Sequence, residues 1–363
     1  MTSLIKAPYP WFGGKSKVAD LVWSRFGNVR NFVDPFMGSL AMLLQRPEPF
    51  DGSETVNDLD GFVANFWRAV RADPEAVAHH ADWPVNENDL HARHAWLVNR
   101  RDSLTTRLEG DPDYFDPKVA GWWVWGACCW IGSGWCYGKG PWKVSDGELR
   151  NLGNAGRGVN RQLVHLGNAG MGVNRKLVHL GNAGRGVNRQ RVHLGDAGRG
   201  EGPSEGCEPQ TGPGAGEGLQ GLLPWFVALS DRLKRVRVCS GDWTRVCGPT
   251  PTVKMGLTAV FLDPPYADTA RRTADLYSLD SESVAHAVRE WAIAHGGDRR
   301  LRIALCGYQG EHEMPDSWDA VAWKANGGYG SQGKGSGRTN AAREVIWFSP
   351  HCLEIDSLER IAS

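Results

Sequence analysis

Residues 152–200 are one 14-residue unit written three times and begun a fourth. The copies read LGNAGRGVNRQLVH from Leu152, LGNAGMGVNRKLVH from Leu166 and LGNAGRGVNRQRVH from Leu180, followed by LGDAGRG from Leu194. Each glycine inside a helix costs roughly 1 kcal/mol relative to alanine, and each full copy carries three of them. The period is also shorter than that of known solenoid repeats. The unit therefore suits turn-rich loops carried on a surface. An acidic, Gly/Pro-rich linker follows at 201–218, EGPSEGCEPQTGPGAGEG. Most of the core of this 363-residue chain must then come from the sequence on either side.

Both flanks carry α/β patterning. Asn31 to Asp34 and Glu54 to Asn57 read as short strands. A helix can begin in Ser39 to Gln45, and Gly61 to Arg71 has amphipathic spacing. From Pro74 to Ile131 the pattern is helical, with no convincing strand. Beyond the linker, Leu219 to Leu233 and Ser281 to His295 read as helices. Arg235 to Ser240, Ala259 to Leu262, Leu301 to Leu305 and Glu344 to Phe348 read as strands. The two α/β parts are long enough together for one doubly wound sheet. The expected organisation is a first α/β part at 1–71, an inserted region at 72–200 whose repeats occupy 152–200, the linker, and a second α/β part at 219–363.

Composition narrows the partners. The chain has 41 basic and 41 acidic residues, so no overall field favours nucleic acid, but the repeats concentrate positive charge. Within 151–200, eight basic residues, among them Arg157, Arg161, Arg175 and Arg189, face Asp196 alone. Arginine and asparagine on a glycine-rich backbone suit phosphate and base-edge contacts; a solvated flexible insert is the plainer alternative. Six of the 17 tryptophans lie between Trp122 and Trp142. Trp122, Trp123, Trp125 and Trp130 have the spacing of a helical core. Trp135, Tyr137 and Lys139 sit in GSGWCYGKGPWK, a mix suited to wedging or stacking against bases. The eight cysteines include no CxxC pair and read as reduced thiols rather than metal ligands. With no apolar run long enough for a bilayer and no signal-peptide core, a soluble cytoplasmic protein is expected.

The sharpest chemical signal is Asp263-Pro264-Pro265-Tyr266, directly after the apolar run Ala259 to Leu262. Ligands bind outside the carboxyl ends of strands in open α/β sheets. A Pro-Pro turn there fixes a carboxylate beside an aromatic ring, with the Pro264 carbonyl between them. Carboxylate and carbonyl are a pair of acceptors for an exocyclic amine, and Tyr266 offers a stacking face for a base.

Four motifs in order carry a family resemblance: Trp11-Phe12-Gly13-Gly14-Lys15, Asp34-Pro35-Phe36-Met37-Gly38, Asn57-Asp58-Leu59-Asp60 and Asp263-Pro264-Pro265-Tyr266. The chain resembles the Dam-like DNA adenine N6 methyltransferases of the phage and prophage branch. The resemblance implies a Rossmann-like S-adenosylmethionine-dependent methyltransferase sheet, with a helical, repeat-containing target-recognition domain inserted. It implies that Trp11, Gly13, Gly14 and Lys15 help hold S-adenosylmethionine and that the Asp34-Pro35-Phe36 turn through Gly38 passes its methionine end. It further implies that Asp58 takes the ribose hydroxyls and that Asp242 lies near the adenine. Asp263 to Tyr266 would orient N6 of an adenine flipped out of double-stranded DNA, without a metal, in a monomeric enzyme associated with the nucleoid. A restriction-modification setting fits such an enzyme. The chain departs from the family turn at Leu40, where a second glycine is often found.

Each motif also has a plain reading: Asp58 capping the helix near Gly61, Asp34-Pro35 a strand exit, Asp242 a turn. Methylation of cytosine N4 and a catalytically silent DNA-binding relative are the competing functions. The first is disfavoured by the aspartate that opens the tetrapeptide, the second by the presence of Lys15 and Asp58. The Gly-rich basic stretch Gly327 to Arg343 is a candidate for closing over DNA or cofactor.

Overall fold

The computed structural model describes residues 5–11, 15–47, 50–130, 135–136, 142–145, 148–151, 221–265, 281–323 and 344–354. In chain order the elements are α1 (Ala19–Phe26), β1 (Asn31–Asp34), α2 (Ala41–Leu44), β2 (Ser53–Asp58), α3 (Gly61–Ala72), α4 (Pro74–Ala81), α5 (Glu87–Val98), α6 (Arg101–Gly110) and α7 (Pro117–Cys129). They continue with β3 (Trp142–Ser145), β4 (Glu148–Asn151), α8 (Leu222–Leu233), β5 (Val236–Ser240), α9 (Thr244–Cys247), β6 (Thr258–Leu262), α10 (Ser281–His295), β7 (Leu301–Tyr308), β8 (Asp319–Trp323) and β9 (Glu344–Phe348).

Seven strands form one sheet in the order β5-β2-β1-β6-β7-β9-β8. The first five are parallel, and β9 pairs antiparallel with both β7 and β8. Strands β1, β6 and β9 are buried along their whole length, as central strands covered on both faces must be. Alternate residues face opposite layers. Phe32, Phe261, Cys306 and Phe348 join the core shared with α1, α3 and the helical layer, whereas Val33, Val260, Leu305 and Trp347 meet α9 and α10 on the other side.

The helices start where the sequence supplies caps. Asp60 accepts from Phe62 N (2.9 Å) and opens α3; Asp73 accepts from Ala76 N (3.0 Å) ahead of Pro74 in α4; Asp116 accepts from Val119 N (2.9 Å) ahead of Pro117 in α7. Buried on almost every side, α3 lies between the sheet and α4, α6, α7 and α8. The core is therefore continuous from Phe66 and Trp67 to Trp123, Trp125 and Phe226. The helices assigned by sequence to an insert share this core with α3.

The helical reading of 74–131 and the extents of β1, α10 and β9 agree with the sequence patterns. Helices α1 and α9 were not foreseen, nor were two pieces of strand. One is the antiparallel hairpin β3–β4, which pairs Trp142 with Asn151. The other is β8, whose five residues DAVAW alternate only between half-buried and exposed positions. Arg25 of α1 pins β8 from outside through a 2.6 Å pair with Asp319. The repeats at 152–200, the linker and the stretch Gly327 to Arg343 lie outside the described residues. None of the seven described cysteines forms a disulfide.

Candidate active site

From β1 the chain builds outward through β2 to β5, then crosses back to add β6 and β7 on the other side of β1. The order thus reverses between β1 and β6, and the crevice of such a sheet opens at the carboxyl ends of these two strands. Asp34 ends β1, Asp58 ends β2, Gly241-Asp242 follow β5, and Asp263 follows β6. Four sequence motifs converge on one edge.

Asp34 is 2% exposed, and its Oδ1 accepts from Phe36 N at 3.2 Å. Burial lifts its carboxyl well above the ordinary range. The nearby Asp263 and Asp58 add to this, against the Phe36 bond. The turn that follows is held from every side. Asn57 Nδ2 donates to Pro35 O (3.2 Å), Met37 N donates to Asn57 O (2.9 Å), and Gly38 N donates to Asp58 Oδ2 (3.0 Å). The Gly38 carbonyl accepts from both Tyr9 Oη and Trp67 Nε1, each at 2.9 Å. Gly38 has φ +42°, and the Trp11 indole lies against its Cα face. Leu40 takes the same left-handed backbone at φ +56° while its side chain is completely buried. The glycine missing from the family turn is thus replaced in conformation by a leucine, whose burial offsets about 1–2 kcal/mol of backbone strain.

Asp58 is not the cap of α3; that role belongs to Asp60. Asp58 instead receives Gly38 N and, through Oδ1, Asp60 N at 2.9 Å. With Leu59 N as a third backbone donor, one of its four lone pairs is left for another donor. Burial first, then the charge of Asp60, raises its carboxyl to about 7 against three backbone hydrogen bonds. The unfolded chain releases this proton near the ordinary 3.8, the folded chain only near 7. Stability should therefore fall as pH rises from about 4 to about 7 and then level off, by on the order of 2 kcal/mol after screening. Denaturant unfolding at pH 5 and pH 8 checks this, and Asp58→Asn should flatten that part of the slope. An unchanged slope in the variant would assign the effect to another group.

Gly241, at φ +122°, links the neighbouring turn to this one: its N donates to the Asp58 carbonyl (3.0 Å), and its carbonyl accepts from Asn57 Nδ2 (2.9 Å). Exposed Asp242 accepts from Thr244 N (2.9 Å) at the start of α9, so it does act in a turn. Phe36 and Trp243 stack with ring centres 6.3 Å apart and join the two turns.

Asp263 is 21% exposed, and its Oδ1 lies 3.0 Å from Lys15 Nζ. Lys15 is only 6% exposed and also stands 3.6 Å from Glu344 Oε2. Burial opposes the Lys15 charge, but Asp263, Cys306 and Glu344 outweigh it, and the ammonium is held more firmly than in water. Pro264 is buried and Pro265 half-buried. Tyr266, Gly13 and Gly14 lie outside the described residues, as do Tyr137, Lys139, Arg157, Arg161, Arg175 and Arg189.

Trp135 is in a different position from the one expected. It is buried against Gly126, and its Nε1 donates to Trp123 O at 3.0 Å. Trp130 and His94 stack on each other and lie tilted against it. The glycine at 126 makes room for the ring, so Trp135 belongs to the aromatic core with Trp123, Trp125 and Trp130 instead of standing ready to wedge a base. Sequence reasoning passed over Glu344, Tyr9 and Trp67. Glu344 carried only a strand pattern, Trp67 sits in a helix read for its amphipathic spacing, and Tyr9 lies in a segment given no element. Among the described residues no group of three or more His, Cys, Asp or Glu side chains is arranged to hold a metal ion, and no helix is long and apolar enough to cross a membrane.

Residues 11–109 match the family model of the D12 class N6 adenine-specific DNA methyltransferases. The chain carries a D12 class adenine methyltransferase domain. The match takes in Trp11, Lys15, the Asp34 to Gly38 turn and Asp58, together with the helices up to α6. The mostly parallel seven-stranded sheet is consistent with a methyltransferase fold. The D12 class acts on N6 of adenine in DNA, so this is a DNA adenine methyltransferase that uses S-adenosylmethionine. The Asp263 tetrapeptide lies beyond the matched segment, and the sheet brings it back beside Asp34. No curated protein matches the chain in sequence.

Proposed function

We propose that the crevice between β1 and β6 is where the D12 enzyme binds S-adenosylmethionine and methylates an adenine flipped out of double-stranded DNA. The observation that carries this reading is the gathering of Asp34, Asp58, Asp242 and Asp263 at the carboxyl ends of four adjacent parallel strands, with Lys15 on Asp263. The donor set suits the cofactor. Carboxylates favour its cationic sulfonium, Asp58 retains a lone pair for a ribose hydroxyl, and Phe36 and Trp243 give the crevice an aromatic wall. Trp11, Gly13, Gly14, Lys15, the Asp34 to Gly38 turn, Asp58 and Asp242 are the residues assigned to hold it.

When bound, S-adenosylmethionine supplies an electrophilic methyl group. Asp263 and the Pro264 carbonyl accept the two N6 hydrogens and turn the nitrogen lone pair out of ring conjugation. Tyr266 stacks on the base. Lys15, kept protonated by its carboxylates, orients Asp263 and does not act as a base. The N–CH3 bond would form as the sulfonium S–CH3 bond breaks, with S-adenosylhomocysteine as the leaving group, and the methylated nitrogen would release one proton to water to regain a neutral amine. Tyr137, Lys139 and the repeat arginines Arg157, Arg161, Arg175 and Arg189 are assigned to the duplex, as target-recognition contacts made by the inserted region 72–200. The enzyme acts as a monomer on nucleoid DNA in the cytoplasm, within a phage or restriction-modification setting.

Nucleoside mass spectrometry of unmethylated DNA incubated with the protein and S-adenosylmethionine tests the reading. N6-methyladenine is the expected product; N4-methylcytosine, or no product despite DNA binding, would overturn it. Removing one repeat, Leu166 to His179, should alter DNA binding in the same assay.

A further inference from the structure

Glu344 reaches the active-site edge because β9 runs antiparallel: it starts where the parallel strands end, paired in register with Tyr308 at the end of β7 and Trp323 at the end of β8. Its carboxylate is nearly as buried as the ammonium it faces, at 6% exposure each, whereas Asp263 on the other side of that ammonium reaches the crevice. One Lys15 cation thus serves two carboxylates, one inside the protein and one in the site.

We infer that Glu344 is a positioning residue for methyl transfer, which draws part of the Lys15 charge away from Asp263 and so keeps Asp263 a strong acceptor for the target amine. The inference rests on the proposed role of Asp263. The 0.6 Å difference between the two distances, 3.0 and 3.6 Å, is small enough for the ammonium to lean toward Glu344 as the amine arrives. With Glu344 neutralised, more of the Lys15 charge would fall on Asp263. Facing more of that positive charge, the carboxylate would then be a weaker acceptor for the target amine. Among the described residues, the titratable groups around the Lys15–Asp263 pair are Glu344, Asp34 and Cys306, from β9, β1 and β7.

The test is the pH dependence of the single-turnover methylation rate in the full-length enzyme with a DNA substrate. Glu344→Gln should lower the plateau about tenfold and move the acidic limb down by roughly 0.5–1 pH unit, with cofactor affinity unchanged. Lys15→Met should move the same limb upward. A purely structural Glu344 would lower the rate without moving the limb, and that result, or an upward shift, overturns the inference. Should Glu344→Gln not fold, Glu344→Asp keeps the charge but withdraws it, and its limb should fall between wild type and the shift expected for glutamine; a limb at the wild-type position overturns the inference. Asp263→Asn separates the two claims. Retained activity there removes the role of Asp263 itself, whereas an inactive Asp263→Asn with an unmoved Glu344→Gln limb removes only the role of Glu344.

Discussion

Asp263→Ala should reduce the single-turnover rate of N6-adenine methylation by about 10³-fold while leaving the fold nearly unchanged. The rate loss is large because the side chain would act only when the amine is aimed and partly charged, which is where oriented acceptors contribute most. The stability cost is small because Asp263 is partly exposed and Lys15 keeps Glu344 as a partner. Cofactor affinity and the thermal midpoint should therefore stay close to wild type, and rapid-quench sampling with nucleoside analysis reads the rate. A loss of less than tenfold would remove Asp263 from the chemistry. If the carboxylate served only to pin Lys15, Lys15→Met would reproduce the whole loss; the geometry predicts a smaller one, since the acceptor itself remains.

How much of this was legible before the structure depends on the range over which each signal acts. Strand β1, helix α10 and strand β9 carry their signal locally, in apolar runs and helical spacing, and their ends were read to the residue. The placing of Asp263 followed from strand–turn chemistry, because a residue at a strand's carboxyl end has a fixed direction in a parallel sheet, whereas Asp34 and Asp58 were joined to it by the family resemblance. Trp135 illustrates the opposite case. Its glycine-rich surroundings suited wedging against bases, but its environment is set by Gly126 and Trp123 on α7. Glu344 was hidden for a related reason. A glutamate opening an apolar strand looks like a solubilising end, and only the antiparallel turn of β9 delivers it to Lys15. Strand β8, with its weak alternation, owes its place to pairing with β9 and to Arg25.

Gly38→Ala should destabilise the protein by about 2–4 kcal/mol and weaken S-adenosylmethionine binding at least tenfold. Two costs add. At φ +42° an alanine pays about 1 kcal/mol of backbone strain. The new Cβ would also overlap the Trp11 indole, coming within 2.8 Å of Cε2 and closer still to Nε1, so the ring must move. The turn has little room to give, because Tyr9, Trp67 and Asp58 all hold the Gly38 peptide. The double variant Gly38→Ala, Trp11→Ala separates the two costs. It should recover the overlap but keep the backbone strain, so its loss relative to Trp11→Ala alone should shrink to about 1 kcal/mol. Denaturant unfolding measures the stability terms and calorimetric titration with cofactor measures the binding. Should the single variant lose under 1 kcal/mol and bind normally, the turn would be looser than its five hydrogen bonds require, and its assignment to the cofactor would fall with it.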